Sequence, residues 1–567
     1  MRQRLAFLLL LFFAALPVAA QEENVPVANP VYDFLKRMEL KGVIEHYYDA
    51  VLPISRREVA EFLTTTEKKQ DMLTEVDRGR LRDLLSEFQY DITGTTENFH
   101  RLIQTEEPDF GSSWGAELSQ REKYLYFYHD STLSFFVNGL LEFNGRTIQG
   151  DALGKTKAEF LQAGGRMRGT ILGHLGYYAQ WTNAQFWGSR ELLERDPLIS
   201  QSHTLTVTDA QNFDFADSYV RYGNSVVSAQ VGRERVLWGV GYNQKMTLSA
   251  NPRTFDFFRV DAKYKAIKYT FLHAWLLGPV GTLNFKVPAD TAATFQEDTA
   301  SDKYFVAHRI DFSFPGVIDL GLQEMLIYSN RSPDLAYLNP LTIVESSQRS
   351  RGERDNAFWE LDMQLHFIPR IELIGSIVYD DIHVPQLFTS VWYDRYAWQT
   401  GMMYVDMFGL ENTNLMVEYT RVEPFMYAHP RSRADSYTSL DRLLGPTVGP
   451  NGDEWFFRVD YLPSRNLTLS FRVSFDRKGE NIVGADGQVI KNVGSDPLVP
   501  HSSTDPERKK WLDGILVRNR HPEFLATWEV VNQMWLEAHL LFDSEENTVT
   551  GVRNENTTAI IGLRMEL

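Results

Sequence analysis

Residues 231–260 carry five basic side chains, Arg233, Arg235, Lys245, Arg253 and Arg259, against two acidic ones, Glu234 and Asp256. They do so in a chain whose formal net charge is −18. Guanidinium groups grip carboxylates through two parallel hydrogen bonds. Trp238 and Tyr242, set between these arginines, offer ring faces on which a sugar can stack. The combination fits an acidic glycan. It also fits a salt-bridge and hydrogen-bond network that ties an infolded loop to a wall, and the sequence leaves both readings open. A second cluster, Asp380, Asp381 and His383, has the residue types of a hydrolytic site, but its spacing matches no nucleophile or metal motif. A solvated loop start or one weak cation site explains it as well, so no enzyme is expected.

Other candidates depend on where their elements put them. Arg259, Asp261 and Lys263 share one face, opposite Phe258, Val260 and Tyr264. Glu360, Asp362 and Asp380 sit on the equivalent face of later segments. Such mixed charges either pair with one another or form a constriction that selects solutes by charge. Trp187, Trp392, Tyr393 and Tyr427 fall in or beside long connections, where they stack on sugars or join an interfacial aromatic girdle. The chain has no cysteine, which excludes disulfides, thiolate metal sites and a lipid-anchored cysteine. No metal or cofactor is expected. An acidic chain without a basic run is a poor nucleic-acid partner.

The elements that must hold these residues are mostly strands. Leu467, Leu469, Phe471, Val473 and Phe475 alternate with Thr468, Ser470, Arg472 and Ser474, and Trp359, Leu361, Met363, Leu365 and Phe367 alternate with Glu360, Asp362, Gln364 and His366. The segments are about ten residues long, the length of a tilted membrane-spanning strand. Short turns near Asn224, Ala266, Gly316, Pro369, Gly409 and Ser464 alternate with long connections at about 187–215, 238–255, 278–303, 330–355, 382–393, 424–453 and 478–522. That rhythm predicts an all-β transmembrane antiparallel barrel of about 18 strands over 132–567, starting at Leu133 and finishing at Leu567. It requires Phe524–Phe542 to be two strands with a tight turn near Asn532. Lipid offers no hydrogen bonds, so such a sheet must close on itself. Strand parity puts Ser228, Gln230, Gly232 and Glu234 in the lumen and turns Arg233 and Arg235 outward, unless Gly232 forms a bulge.

The N-terminal part reads differently. Residues 1–20 have the form of an export signal: Arg2 and Arg4, an apolar run from Leu5 to Leu16, then small residues at Val18, Ala19 and Ala20. Residues 21–110 show helical periodicity at Val31, Phe34, Leu35 and Met38, a capping box at Ser55 to Glu58, and a third helix after Thr74 bearing Leu81, Leu84, Leu85 and Phe88. Three short helices form a small domain. It is either a plug for the barrel or a docking module for peptidoglycan or a periplasmic protein. Residues 111–131 are expected to be a linker.

Several motifs then add a family resemblance. Gly232-Arg-Glu-Arg-Val-Leu-Trp-Gly-Val-Gly-Tyr242, Leu248-Ser249 and Phe255-Asp-Phe-Phe-Arg259 are followed by Tyr337-Leu-Asn-Pro340, Asp355-Asn356, Asp362 and Asp380-Asp381, and preceded by Lys123-Tyr-Leu-Tyr126. In this order they resemble the Wzi-type capsule assembly family over residues 120–425. The resemblance implies an outer-membrane barrel with both termini periplasmic, acting as a lectin that attaches capsular or other exported polysaccharide to the cell surface. Its implied partners are that polysaccharide and outer-membrane lipid. Arg233, Arg235, Trp238, Tyr242, Arg259, Asn339, Asp362 and Asp381 are the expected glycan-binding residues. The competing expectation, from barrel size alone, is a porin or solute-specific channel.

Overall fold

The computed structural model describes residues 21–103, 122–151, 154–188, 212–279, 302–352, 355–380, 384–429 and 432–567. The proposed export signal, residues 1–20, lies outside them.

Alternation fixes the architecture. Eighteen antiparallel strands form a closed ring: β1 (Ser134–Gly150), β2 (Gly154–Ile171), β3 (Leu175–Gly188), β4 (Asn212–Gly223), β5 (Val227–Glu234), β6 (Phe255–Tyr264), β7 (Ile267–Leu277), β8 (Asp302–Phe314), β9 (Ile318–Ser329), β10 (Asn356–Ile368), β11 (Ile371–Asp380), β12 (Arg395–Val405), β13 (Thr413–Val422), β14 (Gly452–Ser464), β15 (Leu467–Glu480), β16 (Ile515–Val531), β17 (Met534–Asn547) and β18 (Arg553–Glu566). The last strand pairs with the first from Asn556↔Gly150 to Glu566↔Leu140, so no edge is left open. The turn at Asn532 and Gln533 splits the Phe524–Phe542 segment as the sequence required.

The burial pattern is inverted relative to a soluble barrel. On β10, Leu361 and Met363 are exposed, while Glu360, Asp362 and Gln364 between them are buried. On β15, Leu469, Phe471 and Phe475 are exposed and Ser470 is buried. An apolar exterior around a polar interior is what a lipid solvent selects. One end of the barrel carries short turns, such as 224–226 and 369–370. The other carries the long connections, with two short exceptions at 151–153 and 548–552.

The helical part folds at the short-turn mouth. α1 (Val31–Leu40), α2 (Arg56–Lys68), α3 (Glu75–Glu87) and α4 (Gln89–Thr93) pack around Phe34, Leu35, Met38, Val59, Leu63, Leu81 and Phe88. Ser55 and Glu58 make the reciprocal capping box, and the Thr74 hydroxyl accepts the Asp77 N–H. Of the 111–131 stretch, expected to be a linker, the described part from residue 122 contributes two short strands. Glu122–Tyr124 pairs in parallel with Phe99–Arg101, and Tyr126–His129 pairs with the start of β1. The run Tyr124 to Tyr128 is continuous rather than alternating, so it lacks the period-two signal of the later strands.

Candidate functional site

Past β5 the chain leaves the wall and turns into the lumen, because the side chains of 235–254 find partners there. Leu237 and Trp238 pair with Leu52 and Val51 of the helical domain, and the Gly239 N–H donates to the Ala50 carbonyl at 2.8 Å. Trp238 is completely buried, and its indole N–H donates to Gln323 on the lumen face of β9. Further along, the N–H groups of Asn243 and Gln244 converge on the Glu418 carboxylate at 3.0 and 2.8 Å, and the Thr247 hydroxyl donates to Glu360 at 2.5 Å. A second infolded stretch from the 423–451 connection packs on the first. The Tyr437 hydroxyl donates to the Thr247 carbonyl at 3.0 Å, and the Ser249 N–H to the Leu444 carbonyl at 2.7 Å. Trp238, Leu248, Phe257, Phe305, Tyr427 and Tyr437 form one buried cluster inside the barrel.

The helical domain reaches the same interior from the other mouth. Glu23 pairs with Arg168 at 2.8 Å. Asn24 donates to Gln230 at 2.9 Å and to Glu234 at 2.8 Å. Asp49 accepts from Gln364 at 2.9 Å. At the rim, the Arg370 N–H donates to the Leu40 carbonyl at 2.9 Å and Arg57 to the Asn224 carbonyl at 2.7 Å. Arg37 spans Asp77 (2.8 Å), Asn414 (2.9 Å) and Asp406. Burial pushes the Asp77 carboxyl up. The Arg37 and Lys41 charges outweigh that and hold it below its ordinary value. These contacts seat the domain in the short-turn mouth of the barrel.

The expected glycan set does not come together. Arg233 faces outward as parity required, bidentate to Asp256 at 3.0 Å. Gly232 is no bulge, since the β4–β5–β6 register runs through it unbroken. It is glycine because φ is +142° and a Cβ would lie 2.2 Å from the Ser218 carbonyl oxygen. Arg235 donates to the Ala250 and Pro252 carbonyls, holding the infolded loop. Trp238, expected to stack on sugar, has no free face. The Tyr242 hydroxyl donates to Glu372 at 3.0 Å. Arg259 is buried against Asp261 and the Pro53 carbonyl. Asp362 is buried on Arg309 at 2.5 and 2.8 Å. Asn339 is exposed, and its side chain closes a turn onto the Leu341 N–H at 3.1 Å. Asp381 and His383 lie outside the described residues. Asp380 is engaged by Arg395 at 2.8 Å and by the Tyr427 N–H at 3.1 Å. Among the described residues, Arg259 pairs with Asp261, Asp362 with Arg309 and Asp380 with Arg395, whereas Glu360 accepts from Thr247 and Ser376.

The Tyr337 motif does a different job. The 331–352 segment, with helix α5 (Val344–Arg351), lies on the outer face of the wall. Tyr337 and Val344 pack on Phe271, Tyr304, Val306, Leu326 and Tyr328, whose sequence neighbours Leu272, Phe305, Met325 and Ile327 point into the lumen cluster. Tyr337 donates to Asp355 at 2.8 Å. Glu324 accepts the Val344 and Glu345 N–H groups at 2.9 and 2.6 Å, placing a carboxylate at the helix N-terminus.

At the long-loop mouth the 481–514 connection supplies what the sequence reading missed. It joins the 384–394 connection through Trp392 N–H to Glu507 (3.0 Å) and Lys509 N–H to Ser390 (2.8 Å). His501 stacks on Trp392 with ring centres 4.0 Å apart, and Tyr393 meets Trp392 edge-on. Trp511 lies 3.8 Å beneath the Arg421 guanidinium. Lys509 reaches Glu423 at 3.2 Å and fixes the loop to the wall. Burial pushes its ammonium below the ordinary value, against the pull of Glu423. Trp392, Tyr393 and Trp511 each keep part of their surface in solvent. The loop read as a stretch of mixed charge thus adds His501 to the Trp392–Tyr393 pair and places Trp511 against Arg421, and only the Trp and His residues themselves could have signalled it.

Comparison with known proteins places this architecture. Residues 144–529 match the family model described as capsule assembly protein Wzi. No curated protein matches the sequence. Among solved structures, the chain resembles Wzi of Escherichia coli, described as an outer-membrane protein involved in group 1 capsule assembly and a carbohydrate-binding β-barrel. The identity is 12%, the TM-score is 0.56, and 96% of this chain and 99% of that one are covered. Pseudomonas aeruginosa OpdK with vanillate matches at 11% identity and a TM-score of 0.43, over 76% of this chain and 99% of that one.

Proposed function

The chain belongs to the Wzi capsule assembly family of outer-membrane β-barrels, and from that premise we propose that it attaches or assembles exported polysaccharide at the cell surface as a lectin, without catalysing a reaction. The long-loop mouth faces outward in this reading. The short turns, the helical domain and both termini are periplasmic, with 21–110 as the helical domain and 132–567 as the barrel. The observation that carries the proposal is the division of labour in the lumen. The 235–254 connection folds inward to meet the helical domain and the 423–451 connection packs on it, while the 384–394 and 481–514 connections hold Trp392, Tyr393 and Trp511 with part of their surface in solvent. A diffusion channel needs a wet lumen, and the buried cluster around Trp238 fills the part of it lined by β6 to β13.

Polysaccharide contact is therefore assigned to the outer platform rather than to Arg233, Trp238, Arg259 or Asp362, whose side chains already serve the fold. Binding of the purified barrel to the host's own surface polysaccharide tests this. Saturable binding that is reduced in Trp392→Ala supports it. Absence of binding, together with large conductance steps from the intact protein in planar bilayers, would replace the lectin with a channel.

A further inference from the structure

Where α1 and the segment after it meet the barrel rim, four carboxylates gather in one place: Glu39 and Asp49 from the helical domain, and Asp319 and Glu372 from the wall. Their direct cationic partner is Lys36, which bonds Glu39 (3.1 Å), Asp49 (3.0 Å) and Glu372. With the half-buried Lys245 also acting on Asp49 and Glu372, two ammonium groups face four buried or half-buried carboxylates, and the remaining negative excess is costly in a desolvated place.

Two histidines face that excess. His366, nine-tenths buried in its side chain, approaches Asp319 with Nε2 at 3.1 Å. A proton on Nε2 makes that contact a hydrogen bond and leaves the Nδ1 lone pair pointing at Glu372 Oε2, 3.5 Å away. Nδ1 has no hydrogen-bond partner. That arrangement calls for positive charge between the two groups, either a second proton on the ring or a metal cation. A carboxylate holding the far nitrogen of an imidazole is also the usual outer-shell support of a metal-bound histidine. His46 adds a second imidazole from the helical domain, with Nδ1 2.8 Å from Ser313 Oγ and 3.5 Å from Asp319. Its buried Nε2 is likewise without a partner.

The donor atoms of Glu39, His366 and Glu372 all lie within 4.8 Å of one another, and so do those of Glu39, His46 and Asp319. Bonds of about 2.0–2.2 Å in tetrahedral geometry would set neighbouring donors about 3.4 Å apart, so the side chains need close by at most about 1.4 Å. A mixed imidazole and carboxylate set suits a borderline cation better than calcium or magnesium.

We propose that Glu39, His366 and Glu372, supported by His46 and Asp319, bind a zinc-class divalent cation that clips the helical domain to the barrel wall. Glu39 comes from the domain, whereas His366 and Glu372 flank the turn between β10 and β11. The ion therefore bridges the two bodies.

The test uses the full-length protein in detergent, stripped with a chelator, dialysed and titrated with Zn2+, with retained metal measured by mass spectrometry. One equivalent should be retained, and equimolar Ca2+ or Mg2+ should not displace it. Zinc should slow hydrogen exchange in peptides covering 39–49. Glu39→Gln and His366→Gln, checked for barrel folding by heat-dependent gel mobility, should each weaken retention at least tenfold. The wild-type titration decides the matter even if a variant fails to fold. No zinc uptake by the wild type would overturn the proposal and leave a proton between these groups, and so would full retention in the Glu39→Gln/His366→Gln double variant.

Discussion

Replacing Arg37 by methionine should loosen the helical domain without unfolding the barrel. Methionine retains much of the apolar stem and removes the charge. Arg37 is 1% exposed in its side chain and bonds Asp77, Asp406 and Asn414 together. Lys41 shares the two carboxylates, at 2.8 Å to Asp77 and 3.0 Å to Asp406. In the variant, two buried carboxylates keep one cation between them. Removing one partner of a buried pair costs about 3–5 kcal/mol. Because Lys41 remains on both acids, the low end applies, and about 3 kcal/mol raises the open population roughly 100-fold. Hydrogen exchange in nanodiscs reads this directly. Peptides from 31–93 should exchange about two orders of magnitude faster, while those from the long-loop halves of β15 to β17, away from the Arg465–Asp83 contact, should keep their wild-type rates. Unchanged helical peptides, or equal acceleration in the strands, would refute the reasoning.

Other expectations follow from the same contacts. Asp77 and Asp406 are both held below the ordinary value of 3.8, Asp406 by Arg37 and Lys41 against its own burial. Their stabilisation is therefore complete above pH 3.8 and is lost as pH falls through their lowered values, so acid should release the helical domain before the barrel melts, measured as exchange of 31–93 against pH. Trp238→Ala removes the largest side chain of the lumen cluster at a cost of about 3–5 kcal/mol, and should raise planar-bilayer conductance while leaving the heat-modifiable barrel band intact. Trp392→Ala with Trp511→Ala should weaken polysaccharide binding on the order of tenfold, about 1.4 kcal/mol, whereas Asp362→Asn should leave binding unchanged when checked by the same assay.

Strand number and phase were legible because lipid imposes a period of two on every spanning segment, and no other solvent would expose Leu361 and Phe471 while burying Glu360 and Asp362. Helix starts were legible because Ser55 and Thr74 act within three residues of themselves. The site was not legible for the opposite reason. Arg259, Trp238 and Asp362 have the chemistry of ligand contacts, but their partners Pro53, Gln323 and Arg309 lie more than 50 residues away in sequence. Residue type cannot tell a charge reserved for a ligand from one already matched across a barrel. Parity did place Arg233 outward, where the structure finds it. The platform at Trp392 was half visible, since the aromatic was noted but His501 and Trp511, from a connection more than 100 residues later, were not.

The measurement closest to the central claim compares cell-bound and released polysaccharide in cells with and without the gene. An attachment lectin predicts unchanged total synthesis with polymer shifted from the cells into the medium, restored by the wild-type gene and poorly by the Trp392→Ala/Trp511→Ala variant. Normal amounts in both fractions after deletion would contradict it.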